Sequence, residues 1–270
     1  MSEVTKRVRV RHFAQAKAEG TRIVGLTSYD YLSAGLFDQA GVDFLLVGDS
    51  AGQVVLGHDT TVPTTTDELI PLTRAVVRAA QRALVVADLP FGSYESGTDD
   101  ALHTAVRFMK ETGAHAVKLE GGVRSAAQIE RLVQSGIPVM AHIGYTPQSE
   151  HGLGGHVVQG RGESGEQFLE DAQAVQQAGA FAVVIEMVPE ELAQKASSTL
   201  SIPTIGIGAG RYTDGQILVW TDLLGVNTGR VPRFVQRYAE LGEQMKESVS
   251  RWRDDVRQSR FPGPEHVFED

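Results

Sequence analysis

Acidic residues close several short apolar runs of the sequence. Asp49, Asp88 and Glu120 end three successive runs of this kind, and Glu186 ends a later one. Strands that are buried on both faces typically consist of near-continuous apolar residues, and parallel α/β enzymes build their sites at the carboxyl ends of such strands. The pattern therefore predicts an enzyme site at which these carboxylates meet.

The first three acids have the chemistry of a metal site. Carboxylates that lie close together cannot all remain ionised at low cost without a compensating cation. Mg²⁺ prefers a few carboxylate oxygens together with water and substrate oxygens, and the sequence has no cysteine that would favour a softer metal. An aspartate considered alone is more often a helix N-cap. Because three acids recur at neighbouring strand ends, we predict a Mg²⁺ site formed by Asp49, Asp88 and Glu120.

Two residues beside these acids could contact a substrate. Lys118 precedes Glu120 by two residues, so the alternation of a strand places both side chains on one face. The lysine could hold a substrate carboxylate or balance the acids, or its ammonium could extend to the surface. Ser50, which follows Asp49, could donate a hydrogen bond to a bound carboxylate or cap a helix.

Glu186 and His142 are candidates for proton transfer and polarisation. Glu186 is flanked by Ile185, Met187 and Val188 at the end of the predicted sixth strand. A carboxylate that stands apart from the metal cluster in apolar surroundings suits a general base, and a salt bridge at the barrel rim is the alternative. His142 ends the predicted fifth strand and could polarise a substrate oxygen or be a core histidine bonded to the backbone.

Other motifs point to chemistry less specifically. The glycine-rich segment 206–210 lacks the lysine and hydroxyl residue of a phosphate-binding loop and the spacing of a dinucleotide fingerprint. We interpret it as a tight loop that gives a ligand access to the backbone. His58, His151 and His156 lie in glycine-rich segments without the spacing of a zinc site, so we expect surface histidines.

Eight apolar runs, which alternate with helical segments, must position these side chains. This alternation is typical of βαβ units, and eight parallel strands are enough to close a barrel. We predict an α/β fold, a single-domain (β/α)8 TIM barrel over residues 1–270, with an open doubly wound sheet as the alternative because the first and eighth strands are the weakest. The predicted strands are 23–27, 44–48, 84–87, 115–119, 137–142, 181–185, 202–207 and 217–220. The predicted helices are 4–19, 31–40, 66–81, 99–112, 125–135, 163–178, one that begins at Pro189, and a charged amphipathic helix at 233–258, before an extended end at 261–270.

Two long glycine-rich segments, 51–66 and 144–162, follow predicted strands at the end that carries the acids. Loops of this length in a compact domain are usually functional. We predict that one or both close over bound substrate, with hinges at Gly57-His58 and Gly154-Gly155. Permanent packing against a neighbouring subunit is the alternative.

The composition argues against several classes of protein. The chain has 270 residues, no cysteine and a formal net charge of −9, which excludes disulfides and zinc–thiolate sites and argues against a general nucleic-acid-binding protein. No apolar run approaches the roughly 20 residues of a membrane span, and the basic N-terminal segment lacks the apolar core of a signal peptide. We expect a cytoplasmic protein that binds neither membranes nor nucleic acids.

Ten stretches between about residues 20 and 235 resemble, in order, those of the ketopantoate hydroxymethyltransferase family. A set of this length is far more specific than any single motif. The stretches are LTSYD (26–30), VGDS (47–50), GHDT (57–60), ADLPF (87–91), VKLEGG (117–122), HIG (142–144), TPQS (146–149), VQGR (158–161), GIGAG (206–210) and TDGQILV (213–219).

This resemblance implies a (β/α)8 barrel transferase of pantothenate biosynthesis. The implied reaction moves a hydroxymethyl group from 5,10-methylenetetrahydrofolate to 3-methyl-2-oxobutanoate to form 2-dehydropantoate (ketopantoate), by Mg²⁺-stabilised enolate chemistry. A cytoplasmic homodecamer is also implied. Carried over residue by residue, the resemblance implies metal ligands at Asp49, Asp88 and Glu120, contacts to the 2-oxo acid from Asp49, Ser50, Asp88 and Lys118, and Glu186 as the proton acceptor.

The sequence departs from the family pattern at 154–157, where relatives usually carry an aromatic and a basic residue after the glycines. The folate contacts of this loop therefore remain open, whereas Ala141, where many relatives have glycine, is a small change. A Mg²⁺-dependent barrel lyase that acts on C–C bonds of 2-oxo or 2-hydroxy acids is the alternative function, although such lyases commonly use a cysteine. A catalytically inactive barrel kept for binding or assembly is a further alternative, and the intact strand-end acids argue against it.

Overall fold

Eight parallel strands form a closed barrel in chain order in the computed structural model, which describes residues 6–227 and 231–269. The predicted (β/α)8 barrel is therefore confirmed, and the open sheet is wrong. The strands are β1 (Ile23–Thr27), β2 (Phe44–Val47), β3 (Leu84–Asp88), β4 (Ala116–Glu120), β5 (Val139–Gly144), β6 (Ala182–Glu186), β7 (Thr204–Ile207) and β8 (Gly215–Leu218).

Helices connect the strands and begin and end at residues of the expected kind. The fourth helix begins with a capping box, in which the Glu68 backbone N–H donates to the Thr65 hydroxyl and the Thr65 N–H donates to the Glu68 carboxylate. Gly113 ends the fifth helix in the left-handed conformation, with φ of 78°. The helices are α1 (Val10–Glu19), α2 (Tyr31–Gln39), α3 (Ala51–Val54), α4 (Thr66–Ala79), α5 (Thr98–Thr112), α6 (Ala126–Gln134), α7 (Glu150–Leu153), α8 (Ser164–Gln177), α9 (Glu190–Thr199), α10 (Trp220–Leu223) and α11 (Leu241–Arg257).

Several predicted boundaries are wrong. The segment predicted as a loop at 51–66 begins with α3, and the one at 144–162 contains α7 and a 3₁₀ turn, Pro147–Ser149. One turn of helix contains too few residues to show the helical period. The eighth strand lies two residues earlier than predicted, because the less apolar Gly215 and Gln216 pair with β1. The tail helix begins at 241 rather than 233, and a 3₁₀ turn at Pro264–His266 interrupts the predicted extended end.

Alternation along the strands divides the barrel interior into an apolar and a polar half. Near the strand starts, Phe44 pairs in register with Leu84, and Val86 pairs with Ala116, all of them buried. Because side chains alternate between the two faces of a strand, the next side chains on the interior face lie two residues further along. The registered pairs at the strand ends are Asp88 with Lys118, Glu120 with His142, and Gly144 with Glu186.

Helix α1 closes the amino end of the barrel with aromatic packing. The Phe13 ring lies 5.7 Å from that of Phe44 and 5.1 Å from that of Phe181, measured between centroids. Gly25 of β1 gives the Phe44 ring its space, because a Cβ atom on Gly25 would lie 2.2 Å from that ring. The charged residues at the strand ends therefore all lie at the opposite, carboxyl end of the barrel.

The chain divides into two compact units, Met1–Val219 and Trp220–Asp270. The first contains the complete barrel. In the second, α11 exposes Met245, Val249, Trp252 and Val256, which recur with the spacing of one helix face, so the amphipathic tail helix is confirmed. A single domain over 1–270 stays a prediction. Within the described part of the chain, no helix has the length and apolar character that crossing a membrane requires.

Candidate active site

Asp88 and Lys118 form a buried ion pair at the carboxyl end of the barrel. Lys118 Nζ donates to Asp88 Oδ1 at 2.6 Å, and Lys118 is only 3% exposed. Burial alone would lower the pKa of Lys118, but the charges of Asp88, Glu120 and Asp49 outweigh it and hold this pKa above its ordinary value. The lysine therefore balances the acids, and the alternative in which it reaches the surface is wrong.

Asp49 joins the cluster from the tight turn after β2. Its backbone N–H donates to Asp88 Oδ2 at 3.1 Å, and its side chain is buried. Burial, followed by the charges of Asp88 and Glu120, raises the pKa of Asp49 to about 8. Burial and the neighbouring acids therefore disfavour the ionised form of Asp49 more than Lys118 and Gln148 favour it.

His142 connects Glu120 to Glu186. Its Nδ1 lies 3.3 Å from Glu120 Oε1, and its Nε2 lies 3.1 Å from Glu186 Oε2. Burial alone would lower the pKa of His142, but the interactions with the two carboxylates outweigh it and raise the pKa to about 9. Glu186 therefore lies one residue away from the predicted metal cluster, because β5 lies between β4 and β6 and His142 separates the two carboxylates.

The N-cap alternatives are not observed for the strand-end acids or for Ser50. Among the described helices, none is capped by Asp49, Asp88 or Glu120. Ser50 precedes α3, but its side chain makes no capping bond. Its hydroxyl instead lies 2.8 Å from the Tyr29 hydroxyl and lines the central cavity.

The cavity enclosed by these residues has a volume of about 150 Å³. Apolar side chains of the strands line its lower wall, among them Leu46, Val184 and Ile217. Asp49, Ser50, Asp88, Lys118, Glu120, His142 and Glu186 all line it, so every sequence-predicted site residue meets at one cavity. A space of this size suits a small acid rather than a large cofactor.

Both long segments lie over this cavity. Gln53 and Thr61 contribute from 51–66, and Tyr145, Glu150 and His156 contribute from 144–162. The His156 ring lies 4.9 Å from the Tyr145 ring and lines the cavity, but its side chain is 65% exposed, so the expectation of a surface histidine is confirmed. The overhang is observed, whereas closure over substrate stays a prediction.

Two buried polar residues for which the sequence predicts no role adjoin the cluster. Gln148 is 4% exposed and bonds to Asp49, and Tyr94 is 2% exposed and bonds to Gln148. Gln148 lies in a stretch that matched the family, which was an available signal. Nothing in the sequence around Tyr94 indicates its position.

The glycine-rich segment 206–210 takes little part in the site. Only Ile207 lines the cavity, and a Cβ atom on Gly210 would lie 2.4 Å from Glu190 Cγ. The tight turn is therefore confirmed and is explained by packing against α9, whereas access of a ligand to its backbone stays a prediction.

The oxygen donors suit Mg²⁺ in kind but are not preassembled around one point. Across residues 6–227 and 231–269, no three His, Asp or Glu side chains form a ready ligand set. Glu120 Oε1 is nevertheless buried without an aligned hydrogen-bond donor, and burial and the neighbouring acids raise the pKa of Asp49. Both observations indicate room for one further positive charge, and Mg²⁺ needs only one or two carboxylates beside water and substrate oxygens.

The family model and the sequence relatives agree on one family. Residues 7–264 match the family model described as ketopantoate hydroxymethyltransferase. A protein of Leifsonia xyli subsp. xyli named 3-methyl-2-oxobutanoate hydroxymethyltransferase is 67% identical over 263 residues, covering 97% of this chain and 95% of that protein. Its namesake from Saccharopolyspora erythraea is 60% identical, covering 98% and 90%.

A crystal structure of phosphonopyruvate hydrolase with oxalate and Mg²⁺ has a TM-score of 0.62 at 11% identity, covering 96% of this chain and 91% of that one. At that identity the likeness concerns the fold alone. The family match and the two relatives cover nearly the whole chain. This chain belongs to the ketopantoate hydroxymethyltransferase family.

Proposed function

We propose that this enzyme transfers a hydroxymethyl group from 5,10-methylenetetrahydrofolate to 3-methyl-2-oxobutanoate, which forms 2-dehydropantoate in pantothenate biosynthesis. The observation that carries the proposal is the buried set of carboxylates, with Lys118 and His142, around a cavity of about 150 Å³. A site that small fits a short branched 2-oxo acid. The names of the relatives support the same substrate.

The residues that we propose to bind the substrate lie on the β2, β3 and β4 side of the cavity. Asp49, Ser50, Asp88 and Lys118 are proposed to contact the 2-oxo acid, with the ammonium of Lys118 and the hydroxyl of Ser50 as donors to its oxygens. Asp49, Asp88 and Glu120 would hold Mg²⁺. When bound, Mg²⁺ supplies an electrophile that stabilises negative charge on the oxygens of the 2-oxo acid.

Glu186 is proposed to take the proton from C3 of the 2-oxo acid. It lies at the end of β6, and its Oε2 is held 3.1 Å from His142 Nε2. Because His142 also contacts Glu120, the imidazole fixes the distance between the base and the cluster. C3 then forms the new bond to the methylene carbon, whose two C–N bonds to the folate break. Water supplies the hydroxyl oxygen, and one proton of that water together with the proton taken from C3 ends on the two nitrogens of the departing tetrahydrofolate.

The central cavity is too small to enclose both substrates, since the folate is much larger than the 2-oxo acid. The folate must therefore reach the 2-oxo acid beside the segments 51–66 and 144–162, which cover the cavity and form its roof. Closure of one or both segments would keep water away from the deprotonated acid. Limited proteolysis with and without Mg²⁺ and the 2-oxo acid tests closure, because equal protection would favour fixed packing against another subunit.

Assembly and location are proposed from the family alone. We expect a homodecamer in the cytoplasm, with small molecules rather than nucleic acid or membrane as partners. Light scattering on the purified protein measures the assembly directly.

An assay with 3-methyl-2-oxobutanoate, Mg²⁺ and methylenetetrahydrofolate tests the reaction. We expect 2-dehydropantoate and tetrahydrofolate in equal amounts, and no product when folate is omitted. Folate-independent cleavage or formation of a C–C bond in a 2-oxo or 2-hydroxy acid would instead support the barrel lyase. Absence of turnover in every mixture would favour an inactive binding protein.

A further inference from the structure

Gln148 reaches the ends of three neighbouring strands from the 3₁₀ turn after β5. Its Nε2 donates to Asp49 Oδ2, after β2, and to the Leu89 carbonyl, after β3, both at 3.0 Å. Its backbone N–H donates to Glu120 Oε2, on β4, at 3.1 Å. One buried residue therefore holds two of the carboxylates that line the cavity.

The orientation of the Gln148 amide is determined by its partners. A carbonyl oxygen such as that of Leu89 can only accept, so Nε2 must face it. Oε1 then faces Tyr94, whose hydroxyl donates to it at 2.6 Å and accepts the Glu120 N–H at 3.2 Å. The one proton of the phenol and both protons of the amide are therefore donated to the acceptors named, so these hydrogen bonds have a single arrangement.

We propose that Gln148 is a positioning residue, which fixes the carboxylates of Asp49 and Glu120 for the reaction, and that Tyr94 fixes Gln148. Gln148 does not line the central cavity, so it needs no contact with substrate. It lies in the segment 144–162, and therefore connects this part of the roof directly to the acids. The proposal rests on the proposed function to the extent that Asp49 and Glu120 act on the 2-oxo acid.

Gln148→Met tests this role because it keeps the length of the side chain and removes its polar atoms. We expect kcat/KM for 3-methyl-2-oxobutanoate to fall by about 10- to 100-fold and the Mg²⁺ concentration for half-maximal activity to rise, as is usual when a partner of a metal ligand is lost. Tyr94→Phe should change both quantities in the same direction by less, because the amide donors remain.

Gln176→Met is the matched control. Gln176 also connects a turn to its surroundings, since its Oε1 accepts the backbone N–H groups of Ser201 and Ile202, but at the opposite end of the barrel. Both glutamine variants should lower Tm, whereas only Gln148→Met should change kcat/KM and the Mg²⁺ requirement. Equal kinetic losses in the two variants would reduce Gln148 to a structural role and overturn the proposal.

Crystal structures of metal-free wild type, Gln148→Met and Tyr94→Phe give a readout that does not depend on turnover. We expect the Asp49 carboxylate to move by about 1 Å in Gln148→Met, a displacement large enough to impair catalysis. An unmoved Asp49 carboxylate in Gln148→Met would overturn the positioning role even if the enzyme is active, whereas Glu120 keeps its bond to the backbone N–H. If the wild type shows no turnover in the folate assay, the proposed function is wrong. The carboxylate positions would still test the positioning role of Gln148. If Gln148→Met does not fold, Tyr94→Phe carries both measurements.

Discussion

The two ends of the barrel are formed by the same eight strands but by opposite kinds of side chain. At the amino end, Phe13, Phe44 and Phe181 pack ring against ring, and an ion pair such as Lys17 with Asp214 stays partly exposed. At the carboxyl end, charged groups are buried, and burial together with the charges of Asp88 and Glu120 raises the pKa of Asp49. The amino end is therefore a packed apolar closure, whereas the carboxyl end carries the groups proposed to bind Mg²⁺ and the 2-oxo acid.

The largest expected effect falls on the carboxyl end alone. EDTA should abolish activity, and Mg²⁺ should restore it, because Asp49, Asp88 and Glu120 are its proposed ligands and their mutual charge raises the pKa of Asp49. Asp88→Ala should raise the Mg²⁺ requirement sharply. The activity is measured by product formation after exhaustive chelation. Full activity of a rigorously metal-free preparation would contradict the proposed Mg²⁺ site at the carboxyl end.

The second prediction compares one lysine from each end. Lys118→Met should lower the free energy of unfolding by about 3–5 kcal/mol, because it leaves buried carboxylates without their cation. Lys17→Met removes a partly exposed pair and should cost about 1 kcal/mol or less. Urea unfolding followed by circular dichroism measures both. Similar losses would mean that the buried pair is no more important to stability than the exposed one.

The third prediction concerns acid sensitivity at the amino end. Burial, followed by the charges of Arg7 and Arg9, lowers the pKa of His115 to about 4, and its Nδ1 accepts the Val85 N–H at 2.9 Å. As the pH falls, His115 therefore accepts a proton in the unfolded chain before it does so in the folded protein. The stabilisation that neutral His115 contributes above about pH 6.5 is lost as the pH falls towards 4. The loss should be at most about 3 kcal/mol.

His115→Asn provides the matched variant, because its amide oxygen can still accept a hydrogen bond. Unfolding free energies measured between pH 4 and 7 should fall more steeply for the wild type than for this variant. Parallel curves would assign the acid sensitivity to the buried carboxylates of the other end.

The smallest expected effect is at the aromatic closure of the amino end. Phe13→Leu should lower the free energy of unfolding by about 1–2 kcal/mol through lost packing against Phe44 and Phe181. The value of kcat should not change, since no charged group of the site contacts this ring. A fall in kcat without global unfolding would show that the two ends are coupled.

The fold was predictable from the sequence because the barrel repeats one pattern. Strands such as β3 and β6 are continuous apolar runs, and each stands between helical segments with recognisable ends. The strand-end acids were predictable for the same reason, since parallel strands all carry their carboxyl ends to one side. Short elements such as α3 and α7 were missed because a single turn has no detectable period.

The contacts between site residues were less predictable because they depend on register and on distant parts of the chain. The position of His142 between two carboxylates follows from the pairing of β5 with both neighbours. Gln148 meets Asp49 across 99 residues of sequence, and Tyr94 meets Gln148 across 54. No local pattern encodes such contacts, so these residues became visible only in the folded barrel.

Exchange of the C3 proton of 3-methyl-2-oxobutanoate in D₂O tests the central claim most directly, because it reports proton removal without the folate. With Mg²⁺, the wild type should exchange this proton rapidly. Glu186→Gln should still bind the 2-oxo acid, measured by calorimetry, but should lose the exchange, because the amide cannot accept the proton. Exchange at the wild-type rate in Glu186→Gln would contradict the assignment of Glu186 as the base at the carboxyl end of the barrel.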